Sequence, residues 1–197
     1  MAEPSESETP EFWNVRYGSG DTPWTLPTIS KDLESFIART RSKGSVLIPG
    51  CGADHEAIRR FDAAGFDVRA IDFSPVAVQQ AQAAVGSLRN RIILGDFFAY
   101  DFGTKFDLIY ERTFLCALPP FRWKNYADRV TQLLRPEGKL VGFFFYGNEP
   151  DPPPYGLSEE QATDLFGAQF ELVRDDAVPD SLPMFAGNER WQEWAVI

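Results

Sequence analysis

Histidine and cysteine are almost absent from this sequence. Its 197 residues include one histidine, His55, and two cysteines, Cys51 and Cys116. These residues cannot supply the four Cys or His ligands of a structural zinc site, and no metal centre is predicted. A Ser-His-Asp or Cys-His catalytic arrangement would have to use His55, which opens a predicted helix where a solvated or capping role is expected. Cys116 could be read as a nucleophile, but a free thiol in an apolar stretch is more often a core residue.

Basic residues and long apolar runs are also scarce. Lys and Arg total 19 against 29 Asp and Glu, for a net charge of −10. Nucleic acids and anionic membranes need clustered positive charge, so neither is predicted as a partner. There is no apolar run of about 18 residues and no charged-then-apolar leader, so we expect neither a membrane span nor a signal peptide and predict a cytoplasmic protein.

Apolar and aromatic residues are plentiful enough for one core. The hydrophobic share is 44% and includes seventeen Phe and five Trp. We predict a disordered tail over residues 1–10 and a single domain over 11–197, in which 11–43 form an irregular N-terminal cap or lid. The protein is expected to be a monomer or a weak homodimer.

Strand and helix patterns alternate from Gly44 onward, which predicts an α/β fold with a parallel sheet covered by helices on both faces. Ser74-Pro75 is an N-cap followed by a first-turn proline and marks one helix start. Ser158 begins a shorter helix with the capping sequence Ser-Glu-Glu-Gln. The stretches "QFELVR" and "RWQEWAVI" read as an antiparallel pair that closes one edge of the sheet.

The stretch "VLIPGCGADHEAIRRF" reads as a strand, a tight glycine turn and a helix. In open α/β sheets the ligand lies over such a turn, at the carboxyl ends of the strands. Gly50 and Gly52 would lie in the turn. Asp72 ends the second strand, at the position from which a carboxylate binds ribose hydroxyls. Turn and carboxylate together indicate an adenosine-like ligand, although a merely structural glycine turn is the alternative.

A dinucleotide fits this turn poorly. The third glycine of G-x-G-x-x-G is missing, and Asp54 and Glu56 at the helix start would repel a pyrophosphate. S-adenosylmethionine has ribose and adenine, no phosphate and a cationic sulfonium, so it fits better. Asp96, at the close of the third strand, could accept from the adenine amino group while the ring of Phe97 or Phe98 packs on the purine. A solvated Asp beside core Phe residues is the other interpretation.

Six stretches of the sequence resemble the thiopurine and thiol S-methyltransferase family of class I S-adenosylmethionine-dependent methyltransferases. The resemblance covers nearly the whole chain after Glu11 and comes close to the plant halide and thiol methyltransferase branch. The stretches are "FWNVRYGSGDTPW", "VLIPGCGADHEAI", "AIDFSPVAV", "GDFF", "FDLIYERTFLCALPPFRWKNYADRVTQLLRPEGKL" and "PPPYGLSEEQ".

The resemblance implies a seven-stranded Rossmann-like mixed sheet with an antiparallel last strand, and it implies residue roles. Trp13 and Trp24 would cover the cofactor. Arg112 would lie between cofactor and acceptor, and Tyr155 stands where the halide and thiol branch has a pocket tyrosine. The other implied cofactor contacts are Leu47, Gly50, Cys51 and Gly52 near the methionine part and Asp72, Phe73, Asp96 and Phe97 near ribose and adenine. The chain departs from the family at Glu111, where Asp is usual, and in "DPPPY".

The predicted activity is methyl transfer to the sulfur of a small-molecule thiol by in-line displacement. Such transfer needs alignment and exclusion of water, and a thiol needs no dedicated base. Arg112 is predicted to raise the thiolate fraction and Tyr155 to orient the acceptor. The structural alternatives are an ion pair of Arg112 with Glu111 or a nearby carboxylate, and packing of Tyr155 among prolines.

Three other functions stay open at this point. The same pocket could methylate a small anion such as iodide or thiocyanate. The chain could be a non-catalytic S-adenosylmethionine-binding module, which the Arg112 and Tyr155 motifs disfavour. A dinucleotide-dependent oxidoreductase is disfavoured by the missing glycine.

Overall fold

The structure, a computed structural model, describes residues 6–26 and 28–197. Strands and helices alternate through most of this part of the chain. The strands are β1 (Ser45–Pro49), β2 (Asp67–Asp72), β3 (Ile92–Leu94), β4 (Phe106–Arg112), β5 (Leu134–Phe145), β6 (Phe170–Ala177) and β7 (Glu189–Val196). The helices are α1 (Pro10–Ser19), α2 (Lys31–Arg39), α3 (His55–Ala63), α4 (Pro75–Val85), α5 (Pro120–Leu133) and α6 (Glu159–Phe166).

The strands form one seven-stranded sheet in the order β3-β2-β1-β4-β5-β7-β6. Strands β1 to β5 pair in parallel, and β7 pairs antiparallel with both β5 and β6. This confirms the predicted mixed sheet with an antiparallel last strand. Strand order reverses on the two sides of β1, so the carboxyl ends of β1 and β4 lie at the switch point where open α/β sheets bind ligands.

Helices cover both faces of the sheet, as predicted. Successive residues of β1 point to opposite faces, and Val46 and Ile48 belong to one buried cluster while Leu47 belongs to another. The first cluster includes buried residues of α2, α3 and α4, and the second includes those of α5 and α6. Each face therefore has its own layer of packed helices.

The predicted caps define the helix starts. The Ser74 hydroxyl accepts from the N–H of Ala77 at 3.1 Å, with Pro75 as the first helical residue. Ser158 and Gln161 form a reciprocal capping box at α6. These polar side chains satisfy backbone N–H groups that have no partner inside the helix, which explains why the local sequence located both starts.

The N-terminal segment differs from its prediction. Residues 1–5 of the predicted disordered tail lie outside the described residues, but residues 6–8 form a 3₁₀ turn and Ser7 is buried. The predicted irregular cap contains a helix, α1, which begins after the N-cap Thr9 and ends at Ser19, with Gly20 as its C-cap at a φ of 75°. The rings of α1 contact several neighbours instead of forming one apolar stripe, so the helical period is not visible in the sequence.

No helix within residues 6–26 and 28–197 is both long and apolar enough to cross a membrane.

Candidate active site

A cavity of about 360 Å³ lies at the carboxyl ends of the first four strands. Its volume is within the range of small-molecule sites. The residues that follow β1, β2, β3 and β4 form its base, and α1 with the segment up to Trp24 forms its roof. The proline-rich loop after β5 and the segment before β7 close the remaining side. The cavity is therefore at the switch point that the sheet order defines.

Most of the residues predicted to bind the cofactor line this cavity. They are Trp13, Trp24, Gly50, Asp72, Phe73, Asp96 and Phe97. The remaining predicted residues, Leu47, Cys51, Gly52, Arg112 and Tyr155, are outside the set that lines it. Leu47 and Cys51 are buried, and Leu47 belongs to one of the hydrophobic clusters beside the sheet. Gly52 contributes its backbone N–H, which donates to Asp72.

Asp72, at the end of β2, is the buried carboxylate of the site. Its Oδ2 accepts from the N–H of Gly52 and its Oδ1 from the N–H of Ser74, each at 2.8 Å. These bonds join the glycine turn to the start of α4. Burial raises the pKa of Asp72 to about 6, although the backbone N–H donors partly offset this effect. Asp72 lines the cavity and, with this pKa, is mostly ionised at physiological pH.

Binding of S-adenosylhomocysteine is expected to weaken as the pH falls below about 6. If Asp72 accepts from the ribose hydroxyls, as the sequence predicts, ligand binding competes with protonation of this carboxyl group, whose pKa is about 6. The association constant should fall by up to about tenfold per pH unit. Calorimetric titration between pH 5 and 7.5 measures this slope. In Asp72→Asn the slope should vanish, and a wild-type affinity that stays constant down to pH 5 would contradict the role of Asp72.

The stability of the free protein depends on pH in the opposite direction from ligand binding. The pKa of Asp72 is higher in the folded chain than in an unfolded chain, so its contribution to stability is fully present below about pH 4. This contribution is lost as the pH rises through about 6. Acidification thus favours the folded free protein at Asp72 while it disfavours ligand binding.

Helix α1 is held on α4 by polar contacts. The Ser74 hydroxyl donates to Asn14 Oδ1 at 2.7 Å, and Gln80 Nε2 donates to the carbonyl of Tyr17 at 3.0 Å. Trp13 and Trp24 meet edge to face with ring centroids 5.5 Å apart. These contacts fix the aromatic roof over the strand ends.

Tyr17 is a cavity residue to which the sequence assigned no role. Its hydroxyl accepts from Trp24 Nε1 at 3.2 Å and lies directly above the glycine turn, since a Cβ at Gly52 would be 2.2 Å from it. Gly52 has a φ of 55°, so the turn requires glycine both for its backbone conformation and for this close approach. Burial raises the pKa of Tyr17 well above its usual range, which keeps the phenol neutral.

An aromatic group lies at the end of β3. The Phe97 ring is 5.4 Å from the Phe114 ring, and Phe98 is next to both. Asp96 is exposed, and its side chain accepts from the N–H of Phe98 at 2.9 Å. The structure thus combines features of both interpretations of "GDFF": a solvated Asp turn and rings that line the cavity.

The turn after β4 is organised by Glu111. Its Oε1 accepts from the N–H groups of Phe114 and Leu115 at 2.8 and 2.9 Å, and its Oε2 from the Tyr126 hydroxyl at 2.5 Å. Burial raises the pKa of Glu111. Thr113 follows with a φ of 60°, a strained value for a β-branched residue, and lines the cavity. Glu111, which departs from the family pattern, therefore stabilises this turn through its hydrogen bonds.

Arg112 forms a buried ion pair. Its Nη1 contacts Glu189 Oε1, and its Cζ lies 4.5 Å from the centre of the Phe143 ring. The sequence left open an ion pair of Arg112 with Glu111 or with a nearby carboxylate. In the structure the partner is Glu189. Seventy-seven residues separate the partners, so no local pattern identified Glu189.

Tyr155 is partly buried and packs against the hydrophobic cluster that includes α5 and α6. Its backbone N–H donates to the carbonyl of Cys116 at 2.7 Å. This bond joins the proline-rich loop to the segment after β4.

Five neutral residues form the apolar wall of the cavity: Cys116, Ala117, Leu118, Met184 and Phe185. Burial raises the pKa of the Cys116 thiol far above its usual range, so it is a poor nucleophile. His55 Nε2 lies 3.2 Å from Glu56, and the histidine side chain is 39% exposed. Among the described residues no group of three Cys, His, Asp or Glu side chains could hold a metal.

The sequence matches the profile of the family described as thiopurine S-methyltransferase (TPMT) over residues 8–195. "Probable thiol methyltransferase 2" from Arabidopsis thaliana is 31% identical over 171 residues, covering 82% of this chain and 74% of the relative. "Thiocyanate methyltransferase 1" from Brassica oleracea is 27% identical over 192 residues, with coverages of 94% and 84%. "Thiopurine S-methyltransferase" from Vibrio campbellii is 30% identical over 209 residues, with coverages of 93% and 94%.

A solved structure has the same fold. Burkholderia thailandensis 1,6-didemethyltoxoflavin-N1-methyltransferase, crystallised with 1,6-didemethyltoxoflavin and S-adenosylhomocysteine, superposes with a TM-score of 0.77. The superposition covers 100% of this chain and 91% of the other at 21% sequence identity. This likeness establishes the Rossmann-like methyltransferase fold.

Proposed function

The chain belongs to the thiopurine S-methyltransferase family of class I S-adenosylmethionine-dependent methyltransferases, and we propose that it methylates the sulfur of a small-molecule thiol. The observation that carries this proposal is the composition of the cavity. One side has the buried Asp72 beside the glycine turn, and the other is the neutral apolar wall. A hydrophobic thiol could pack against that wall.

The residues at the strand ends fit the cofactor. Asp72 is a buried carboxylate that accepts from the backbone N–H groups of Gly52 and Ser74, and its remaining acceptor capacity suits ribose hydroxyls. Phe73 and Phe97 provide apolar surface for the adenine. The cofactor supplies an activated methyl group when bound. We propose that Asp72 orients the ribose, while Trp13 and Trp24 exclude water from above.

A thiol acceptor suits the titratable groups of this site. A free thiol has a pKa near about 8.5, so a few per cent is thiolate at neutral pH, and thiolate is intrinsically nucleophilic. The protein then needs to align the acceptor and exclude water, and no histidine is required. His55, whose side chain pairs with Glu56 instead, is outside the cavity walls.

The roles of Arg112 and Tyr155 in activating and orienting the acceptor stay predictions. Arg112 lies behind Phe185, with its Cζ 5.7 Å from the centre of that ring. Its guanidinium forms an ion pair with the carboxylate of Glu189. Tyr155 is joined to the apolar wall through the carbonyl of Cys116. A cytoplasmic location and a monomeric or weakly dimeric state are likewise predictions.

Methylation of a small anion is the second candidate function. The Brassica oleracea relative bears the name thiocyanate methyltransferase and matches 94% of this chain. The same cavity would be used, since an anion has no proton to lose. Against it, the apolar wall carries no charge, and the two arginines that line the cavity, Arg16 and Arg122, already contact carboxylates.

Incubation with S-adenosylmethionine and a panel of acceptors tests the proposal. We expect methyl thioether products from hydrophobic aromatic thiols, and slower or undetectable methylation of iodide and thiocyanate. Mass spectrometry of the products and calorimetric titration with S-adenosylhomocysteine provide the readouts.

Each possible result of the acceptor panel points to a different function. Methyl iodide or methyl thiocyanate as the main product would replace the thiol by an anion as acceptor. Binding of S-adenosylhomocysteine without any methylated product would favour a non-catalytic binding module. The Asp72→Asn variant serves as the control, because its turnover should fall with its cofactor affinity for every acceptor.

A further inference from the structure

Arg112 and Glu189 form an ion pair that is buried on both sides. The exposed fractions of the two side chains are 6% and 2%. The guanidinium lies over the face of Phe143, at 4.5 Å from the ring centre. Water cannot screen this pair, so the charge of either partner acts at nearly full strength on its surroundings if the other is removed.

The other guanidinium groups at the cavity are also paired, but at the surface. Arg16 pairs with Asp21 at 3.0 Å and Arg122 contacts Glu8 at 3.3 Å. The two arginine side chains are 33% and 31% exposed, so solvent and salt weaken their fields. Of these three arginine pairs, the pair of Arg112 and Glu189 is therefore the one that solvent screens least.

This pair is next to the apolar wall. The Arg112 Cζ lies 5.7 Å from the centre of the Phe185 ring, and Phe185 lines the cavity beside Met184. The second carboxylate oxygen of Glu189 accepts from the Ser181 hydroxyl at 2.7 Å and from the N–H of Leu182 at 3.2 Å. Glu189 thus holds the segment that carries the wall and neutralises the cation behind it.

We propose that Glu189 is a specificity-determining residue, because its carboxylate cancels the charge of Arg112 and makes the apolar wall a poor site for small anionic acceptors. Without Glu189, a buried guanidinium would face the wall and attract anions. With it, acceptors that bind in their neutral form, such as a protonated thiol, are preferred, and the predicted effect of Arg112 on the thiolate fraction would be small. The inference concerns the acceptor side of the proposed function, but it is tested by binding alone.

Thiocyanate and thioanisole are matched probes for this proposal. One is a small anion, and the other is a neutral aromatic thioether that resembles a methylated thiol. Both are titrated by calorimetry into the protein saturated with S-adenosylhomocysteine, which lacks the sulfonium charge of the methyl donor. The measured affinity for the anion then reports the charge of the protein itself.

The Glu189→Gln variant should bind thiocyanate at least about tenfold more tightly than the wild type, since it removes the one carboxylate in direct contact with Arg112 among the described residues. Its affinity for thioanisole should stay within about twofold. The Ser181→Ala variant is the matched control, because it loosens Glu189 and keeps both charges. Its thiocyanate affinity should equal that of the wild type. Equal thiocyanate affinities for Glu189→Gln and the wild type would overturn the proposal.

The double variant Arg112→Met with Glu189→Met keeps the proposal testable if Glu189→Gln does not fold. Replacing a buried ion pair by apolar residues is commonly tolerated. If Glu189 cancels Arg112, the double variant should bind thiocyanate within about twofold of the wild type. A loss of fivefold or more would mean that Arg112 attracts anions in the wild type and would refute the proposal. Turnover is not needed, so failure of thiol methylation in the acceptor panel is a separate result.

Discussion

Replacing Asp72 by asparagine is expected to weaken the binding of S-adenosylhomocysteine by about 100-fold. A hydrogen bond to a charged group contributes about 1.5–3 kcal/mol, and about 1.4 kcal/mol corresponds to a tenfold change in affinity. Asparagine has one acceptor oxygen in place of two. It cannot accept from the N–H groups of Gly52 and Ser74 and still serve both ribose hydroxyls. Calorimetric titration at pH 7.5 measures the loss.

Asp67→Asn is the matched control for this experiment. Asp67 begins the same strand, β2, but its side chain is 54% exposed and pairs with Arg91 at the surface. The same chemical change there should leave the affinity for S-adenosylhomocysteine within about twofold of the wild type. If Asp72→Asn also bound the ligand with near wild-type affinity, the ribose role of Asp72 would be refuted.

Replacing Glu111 by alanine is expected to lower the free energy of unfolding by about 3–5 kcal/mol. The change removes the acceptor of the Tyr126 hydroxyl and of two backbone N–H groups, all in a buried setting. Unpaired buried donors are costly, and the strained Thr113 would lose the neighbouring turn that fixes it. Urea denaturation followed by tryptophan fluorescence measures the effect.

Two further variants distinguish the effect of the lost hydrogen bonds on stability from the effect of removing any glutamate. Glu111→Gln keeps the side-chain length and one acceptor oxygen, so it should cost less than Glu111→Ala. Glu171→Ala removes an exposed glutamate from β6 and should change the free energy of unfolding by no more than about 0.5 kcal/mol. A Glu111→Ala protein as stable as Glu171→Ala would show that the turn is held by other contacts.

The parts of the fold that were predicted correctly depend on local signals. Ser74-Pro75 and the Ser158 capping box locate helix starts because each cap satisfies backbone groups within a few residues. Glycines in the turn after β1 and an Asp at the end of β2 locate the cavity, because parallel strands end at the same edge of a sheet. Such features can be read from a short window of sequence.

The parts that were missed depend on contacts between distant segments. Arg112 finds Glu189 only because β5 brings β4 and β7 within reach of each other. Tyr17 gains its position above Gly52 only after α1 has docked on α4. Helix α1 itself has no single apolar stripe, so periodicity could not find it. Tertiary packing, and not local propensity, determines these features.

Helix α1 contributes to the ligand cavity but little to the hydrophobic core. The helix contributes no strand to the sheet, and the two hydrophobic clusters beside the sheet contain none of its residues. Its contacts with the rest of the molecule include the hydrogen bonds to Ser74 and Gln80 and the approach of the Tyr17 hydroxyl to Gly52. The free energy that keeps the protein folded therefore resides mainly in one part of the sequence, while the roof of the cavity comes from another. Sequence changes within residues 6–24 can consequently change ligand access at little cost to the stability of the sheet and its helices.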